Sequence, residues 1–170
     1  MLAAAGAVVW LTGLPSSGKT TLAWRVHAAL RASGRAACVL DGDEVRRALV
    51  PAHGHDPAGR AAFYRSLGGL AALLASQGLV VLVPATASRR AFRDDARHLC
   101  GRFVEVHVAT PLETCRARDP KGLYARASRG ELSALPGMGE AYEAPARPEV
   151  RVEGGQDPEA LARILAALAA

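Results

Sequence analysis

The chain has 170 residues, half of them hydrophobic but only 5% aromatic, with three cysteines and a formal net charge of +5. That length suits one domain, spanning 1–170, which can bury roughly two-thirds of its unfolded surface and needs no disulfide staples. Cys38, Cys100 and Cys115 are too few and too scattered for a disulfide framework or a zinc site, and a reducing, cytoplasmic setting suits them.

Met1 to Val9 is apolar, lacks a basic leading region and runs straight into a turn motif. It therefore reads as a first strand and not as a signal peptide. Ala7 to Leu11 is the buried strand itself, and Lys19 to Ala32 a helix. Ala37 to Leu40 is a second strand that ends at Asp41. Arg60 to Gln77 is a long helix with Leu67, Leu70, Leu73 and Leu74 assigned to one face. Gly78 closes it, and Leu79 to Val83 is a strand apolar throughout. Arg89 to Leu99 is a charged helix. In the strand Phe103 to Val108, Glu105 and His107 alternate with apolar residues, which suggests a place nearer a sheet edge. Pro111 opens a helix through Arg118. Val150 to Val152 makes a last short strand. Asp157 then caps a helix with Pro158 at its first position. No apolar run reaches the roughly 18 residues of a membrane span.

Strands apolar on both faces and separated by helices predict an α/β architecture with a parallel sheet of about five strands, covered on both sides. The segment 119–148 breaks the pattern with many Gly and Pro residues, and a long irregular segment in a compact domain is usually a functional loop or lid. The basic residues are mostly scattered arginines without a Lys/Arg block. They read as a solvated surface, compatible with a pocket for phosphate or sulfate. Nucleic-acid binding would rest on net charge alone.

Gly13-Leu14-Pro15-Ser16-Ser17-Gly18-Lys19-Thr20 matches GxxxxGK[ST] in full, between a predicted strand and a predicted helix. Such a turn wraps phosphate in backbone N–H groups at a helix N-terminus. Lys19 would reach the β- and γ-phosphates of ATP, and the Thr20 hydroxyl would ligand Mg²⁺. The motif indicates nucleotide binding without separating a kinase from an ATPase. Asp41-Gly42-Asp43 stands at the carboxyl end of the second strand, the edge where ligands collect. Asp41 can hold Mg²⁺ through water, and Asp43 can orient or deprotonate an acceptor hydroxyl. The alternative is a plain turn with Asp43 capping the next helix. Arg46, three residues on, shares the Asp43 face. It can meet an anionic substrate or form a surface ion pair with Glu44 or Asp43.

These residues resemble the adenylylsulfate kinase family. The resemblance runs through VVWLTGLPSSGKTTLA (Val8 to Ala23), LDGDEVRRAL (Leu40 to Leu49), FRDDAR (Phe92 to Arg97), the run from Phe103 to Leu132, and YEAPARPEV (Tyr142 to Val150). Its most specific part is Arg118-Asp119-Pro120-Lys121-Gly122-Leu123-Tyr124. It implies a P-loop NTPase of nucleoside-monophosphate-kinase-like fold, a three-layer sandwich with a lid at about 119–148. It implies transfer from MgATP to the 3′-hydroxyl of adenosine 5′-phosphosulfate, and a possible homodimer. By the same resemblance Pro15, Ser16, Ser17, Gly18 and Thr21 contact the nucleotide. Arg116 and Arg118 lie near it, Lys121 closes over acceptor and phosphates, and Arg46, Arg60 and Arg65 hold the acceptor's anionic group.

Departures from the family pattern cluster on the acceptor side. His53-Gly54-His55-Asp56 stands where a Gly-Phe-Ser segment is usual, so a stacking Phe falls on His55. Phe63-Tyr64-Arg65-Ser66 replaces Asn-Ile-Arg-Arg, and Thr86-Ala87-Ser88-Arg89-Arg90 replaces Ile-Ser-Pro-Tyr/Phe-Arg. Leu135-Pro136-Gly137 replaces Phe-Thr-Gly. A lost aromatic platform costs about 1–3 kcal/mol of base stacking. Three readings therefore stand: an adenylylsulfate kinase, a related kinase with another small anionic or nucleotide acceptor, and a nucleotide-binding regulatory module with little catalysis.

Overall fold

The structure, a computed structural model, describes residues 6–170; the Met1–Ala5 part of the expected first strand lies outside the described residues. The chain order is β1 (Ala7–Thr12), α1 (Lys19–Ala32), β2 (Ala37–Val39), α2 (Gly42–Ala48), α3 (Pro57–Ser76), β3 (Val80–Pro84) and α4 (Arg90–Leu99). Then come β4 (Phe103–Val108), α5 (Leu112–Arg118), α6 (Leu123–Ser128), β5 (Leu135–Pro136), β6 (Gly139–Glu140), β7 (Val150–Val152) and α7 (Ala160–Ala167). Five strands form one sheet in the order β2-β3-β1-β4-β7, and every pairing in it is parallel.

Parallel pairing puts all carboxyl ends on one edge, and the helices that return the chain cover both faces. β1 shows the consequence residue by residue. Ala7, Val9 and Leu11 pack with Leu22, Val26 and Leu30 of α1 and Ile164 of α7. Val8 and Trp10 pack with Phe63, Leu67 and Ala71 of α3 and Phe92 of α4. Alternate side chains thus enter two separate cores. Each fully buried Val, Leu or Ile contributes about 1.5–3 kcal/mol relative to exposure. No helix among the described residues is long and apolar enough to cross a membrane.

Several local expectations change. On α3 the buried line is Phe63, Leu67 and Ala71, while Leu70 is 37% and Leu73 56% exposed. At 100° per residue Leu73 sits about 120° from Leu67, off the core-facing stripe. The helix also starts earlier, at Pro57, because the Asp56 side chain accepts the Gly59 N–H at 2.8 Å. β4 does lie near an edge, one strand in, between β1 and the edge strand β7. Glu105 is nevertheless buried, because Arg93 Nε lies 2.7 Å from its Oε1 and Arg97 donates to Oε2 at 3.4 Å. An ion pair satisfies there what solvent would satisfy at an edge. At the C-terminus Asp157 accepts the Glu159 N–H at 2.9 Å, but a turn through Pro158 intervenes and α7 begins only at Ala160. The segment 119–148 is partly regular: it holds α6 and the small β5–β6 pair.

Candidate active site

The loop between β1 and α1 bends through left-handed backbone at Ser16 (φ 63°) and Gly18 (φ 99°). That alternation turns successive N–H groups toward one concavity. Gly18 tolerates no side chain: a Cβ there would lie 2.8 Å from the Gly155 backbone. Tyr124 of α6 donates to Pro15 O at 3.0 Å, and Thr110 donates to Ser17 O at 2.7 Å, so the loop is braced from outside. Lys19 Nζ donates to Gly13 O at 3.0 Å and Leu14 O at 2.7 Å. Burial lowers its pKa to about 8, against the opposing pull of Cys115, Asp43 and Asp41. A lysine that costs this much to keep charged gains strongly from polyphosphate.

Thr20, one residue further, donates to Asp41 Oδ2 at 2.8 Å. The other Asp41 oxygen accepts the Asp43 N–H at 2.9 Å. Asp41 is therefore the cap of α2, and Asp43, released from the capping role considered for it, turns into the cleft. There it pairs with Lys121 from the segment between α5 and α6. Burial pushes the Asp43 carboxyl up, but the Lys121 hydrogen bond and the charges of Lys121, Lys19 and Arg47 outweigh it and hold it below the usual range. Thr20 and Asp41 offer two hard oxygen donors side by side. Among the described residues no cluster of three or more His, Cys, Asp or Glu side chains is placed to hold a metal. Two protein oxygens completed by water and phosphate is the way Mg²⁺ is usually bound, and the donor set fits it.

These groups open into one cleft of about 1180 Å³. Pro15, Ser16, Lys19, Thr20, Thr21 and Arg118 line one end, joined by Gly155 and Gln156. Asp43, Arg46, His55, Arg60, Phe63 and Tyr64 line the other, with Leu132 to Pro136 above them. Arg46 forms neither ion pair considered for it: its guanidinium lies 3.7 Å from the Phe63 ring centroid and donates to His53 O and Gly54 O, both at 3.1 Å. Burial and the charges of Arg46 and Arg60 hold the His55 imidazole below its ordinary pKa.

The segment over the cleft is tied down at several points. Arg60 pairs with Glu140 and donates to Ala134 O at 2.9 Å and His55 O at 2.8 Å. Ser88, almost fully buried, donates to the other Glu140 oxygen at 2.7 Å. Tyr142 meets the Thr12 hydroxyl at 3.0 Å, and Thr12 donates to Thr86 O at 2.6 Å. Ala87 sits at φ 42° beside Ser88, its N–H given to the Tyr64 hydroxyl at 3.0 Å.

Four expected site residues do not line the cleft: Gly13 and Ser17, both buried within the phosphate loop, and Arg65 and Arg116. Arg65 is exposed, one residue and 100° beyond Tyr64 on α3, so it points to solvent. Arg116 is exposed, two residues from Arg118, and lies 3.6 Å from Glu113. Leu135, expected on the acceptor side, is buried and lines the cleft. The sequence reading missed Gly155 and Gln156, although a Gly-Gly pair just after a strand at the carboxyl edge was a usable signal. It also missed Glu140, because nothing local marks an acid whose partners lie 80 and 52 residues away.

Residues 5–153 match the family model described as adenylylsulphate kinase. The chain belongs to the adenylylsulphate kinase family. It is 44% identical to an adenylyl-sulfate kinase of Paraburkholderia xenovorans over 99% of this chain and 96% of that one. It is 46% identical to one of Citrobacter koseri, over 89% and 76% respectively. Its structure superposes with a TM-score of 0.92 on a Mycobacterium tuberculosis APS kinase solved with AMPPNP and APS, at 38% identity, covering 98% of this chain and 99% of that one. As a member of the family the protein is an enzyme, a phosphotransferase with a hydroxyl acceptor.

Proposed function

We propose that the protein transfers the γ-phosphoryl group of ATP to the 3′-hydroxyl of adenosine 5′-phosphosulfate, giving ADP and the 3′-phosphorylated product. The observation that carries this reading is the meeting of Asp43 and Lys121 in the same cleft as Lys19 and Thr20. That arrangement offers an acceptor hydroxyl a base and a cation beside a phosphate cradle. In the transfer the acceptor oxygen bonds to the γ-phosphorus as the bond to the β-phosphate oxygen breaks. Asp43 orients the hydroxyl and receives its proton. Lys19 and the loop N–H groups stabilise charge on the phosphates as it shifts toward the leaving ADP. Thr20 and Asp41 would hold Mg²⁺, which when bound supplies further charge stabilisation on the phosphate oxygens. Arg118, Gly155 and Gln156 would contact the far end of ATP. Arg46 would hold the acceptor's anionic group, and the docked segment over the cleft keeps competing water out. Homodimer formation and a cytoplasmic location belong to the same reading.

A second reading, another small anionic acceptor, is favoured by one specific observation. His55 and Leu135 line the acceptor end where aromatic platforms were expected. Single-turnover assays with labelled ATP and a panel of acceptors separate the two. Transfer to adenosine 5′-phosphosulfate well above the other acceptors is expected. A stronger preference for another acceptor would overturn the first reading, and no acceptor-stimulated ADP release at all would overturn both.

A further inference from the structure

The cleft contains two arginines at its acceptor end, and the protein engages them differently. All three guanidinium nitrogens of Arg60 are engaged by protein oxygens: His55 O, Glu140 and Ala134 O. Arg46 spends only Nη1, on His53 O and Gly54 O. Its Nε and Nη2 donate to no acceptor among the described residues, and its guanidinium lies against the Phe63 ring. Phe63 is itself immobilised. It is 2% exposed, meets the Tyr64 ring edge-on at 5.2 Å and the His53 ring at 6.4 Å, and Tyr64 in turn stacks on Phe92 of α4 at 4.7 Å. A chain of aromatic contacts anchored in the core thus backs one guanidinium that still has free donors.

We propose that Phe63 is a positioning residue: by stacking on Arg46 it holds that guanidinium ready for the anionic group of the acceptor and so sets acceptor affinity. The inference rests on the reading of Arg46 as an acceptor-side group. Its physical basis is preorganisation. An arginine that must be immobilised when it grips an anion loses rotamer freedom in doing so, whereas one already held loses less. The ring face is negative and attracts the cation, so the stack fixes the guanidinium plane without consuming an N–H donor. Arg60, by contrast, holds the segment over the cleft through Glu140, and its donors become available only if that pairing is given up.

The test is steady-state kinetics with ATP and adenosine 5′-phosphosulfate. Phe63→Leu should raise the acceptor KM about two- to thirty-fold, the range of a cation–π contact. Its kcat and ATP KM should stay within about two-fold of wild type, the scatter expected of uncoupled sites. In an Arg46→Ala background the same change should add almost nothing to KM. Since Phe63 is also a core residue, near-isosteric replacement by mono-, di- and trifluorophenylalanine provides the second arm. The acceptor KM should climb with each fluorine as the ring face loses negative charge, while the melting temperature stays level. An acceptor KM indifferent to fluorination, or effects of Phe63→Leu and Arg46→Ala that multiply in full, would overturn the proposal. The wild-type enzyme is the internal control. If it fails to turn over adenosine 5′-phosphosulfate, the reading of the acceptor falls and this proposal with it. If it turns over and the variants leave KM unmoved, only the proposal falls.

Discussion

Lys121, carried on the segment between α5 and α6, pairs with Asp43 in the first turn of α2, 78 residues away in the chain. Both side chains are largely exposed, so the pair adds little to stability. Its consequence is chemical: it closes the segment over the cleft and holds the carboxylate ionised.

Asp43→Asn should lower kcat by about 10²- to 10⁴-fold, the usual loss when a positioned base is removed. Stability should change by no more than about 0.5 kcal/mol, as at most surface sites. Lys121→Met should move the acid limb of the kcat/KM profile to higher pH, because the group that holds the Asp43 carboxyl low is gone. Stopped assays across pH 4 to 8 with parallel melting curves check both. Unaltered turnover in Asp43→Asn would remove that residue from the mechanism.

Lys19 gives a basic limb. Burial brings its pKa to about 8, below the unfolded value near 10.4. Its charged form is therefore disfavoured in the folded protein. Below pH 8 this subtracts from stability, and the penalty disappears as pH rises from about 8 to about 10.4. Nucleotide binding runs the opposite way, since phosphate needs the charged lysine. kcat/KM for ATP should fall above about pH 8, while kcat, measured with phosphates bound, should hold to higher pH. Lys19→Arg should abolish that limb, whatever its residual rate. A limb that persists in the variant belongs to another group.

Arg93 and Glu105 form a buried pair with no solvent to replace a missing partner. Glu105→Gln should cost about 3–5 kcal/mol in urea unfolding. Replacing both with apolar residues should not restore the loss. Arg93 also donates to Ala87 O and Glu143 O, and those carbonyls would be left without their donor. A double variant as stable as wild type would refute that wider role.

Gly155 abuts the phosphate loop so closely that a Cβ there would lie 2.4 Å from Gly18 O. Gly155→Ala should destabilise by about 1–3 kcal/mol through overpacking. It should also raise the ATP KM more than the acceptor KM, because Gly155 packs directly on Gly18 of the phosphate loop. Isothermal titration with ADP reads the loss of nucleotide affinity directly, and undiminished affinity would count against a role for this loop.

Much of this was readable before any coordinates. The alternation of apolar runs and helices determined a two-sided parallel sheet, because a strand apolar on both faces can be satisfied only between two helical layers. The motif from Gly13 to Thr20 determined the phosphate cradle, because its requirements are local backbone ones, and Arg118 to Tyr124 marked the family. Which acid caps and which acid enters the cleft was decided by the tertiary structure: Asp41 takes the α2 cap and the Thr20 hydroxyl, leaving Asp43 for Lys121. So were the burial of Glu105, the exclusion of Arg65, the docking of Gly155 on Gly18 and the seating of Arg46 on Phe63. Each depends on side chains far apart in sequence or on the phase of a helix about its axis. Pairing over such separations leaves no periodic trace in the chain, whereas backbone geometry and hydrophobic alternation do.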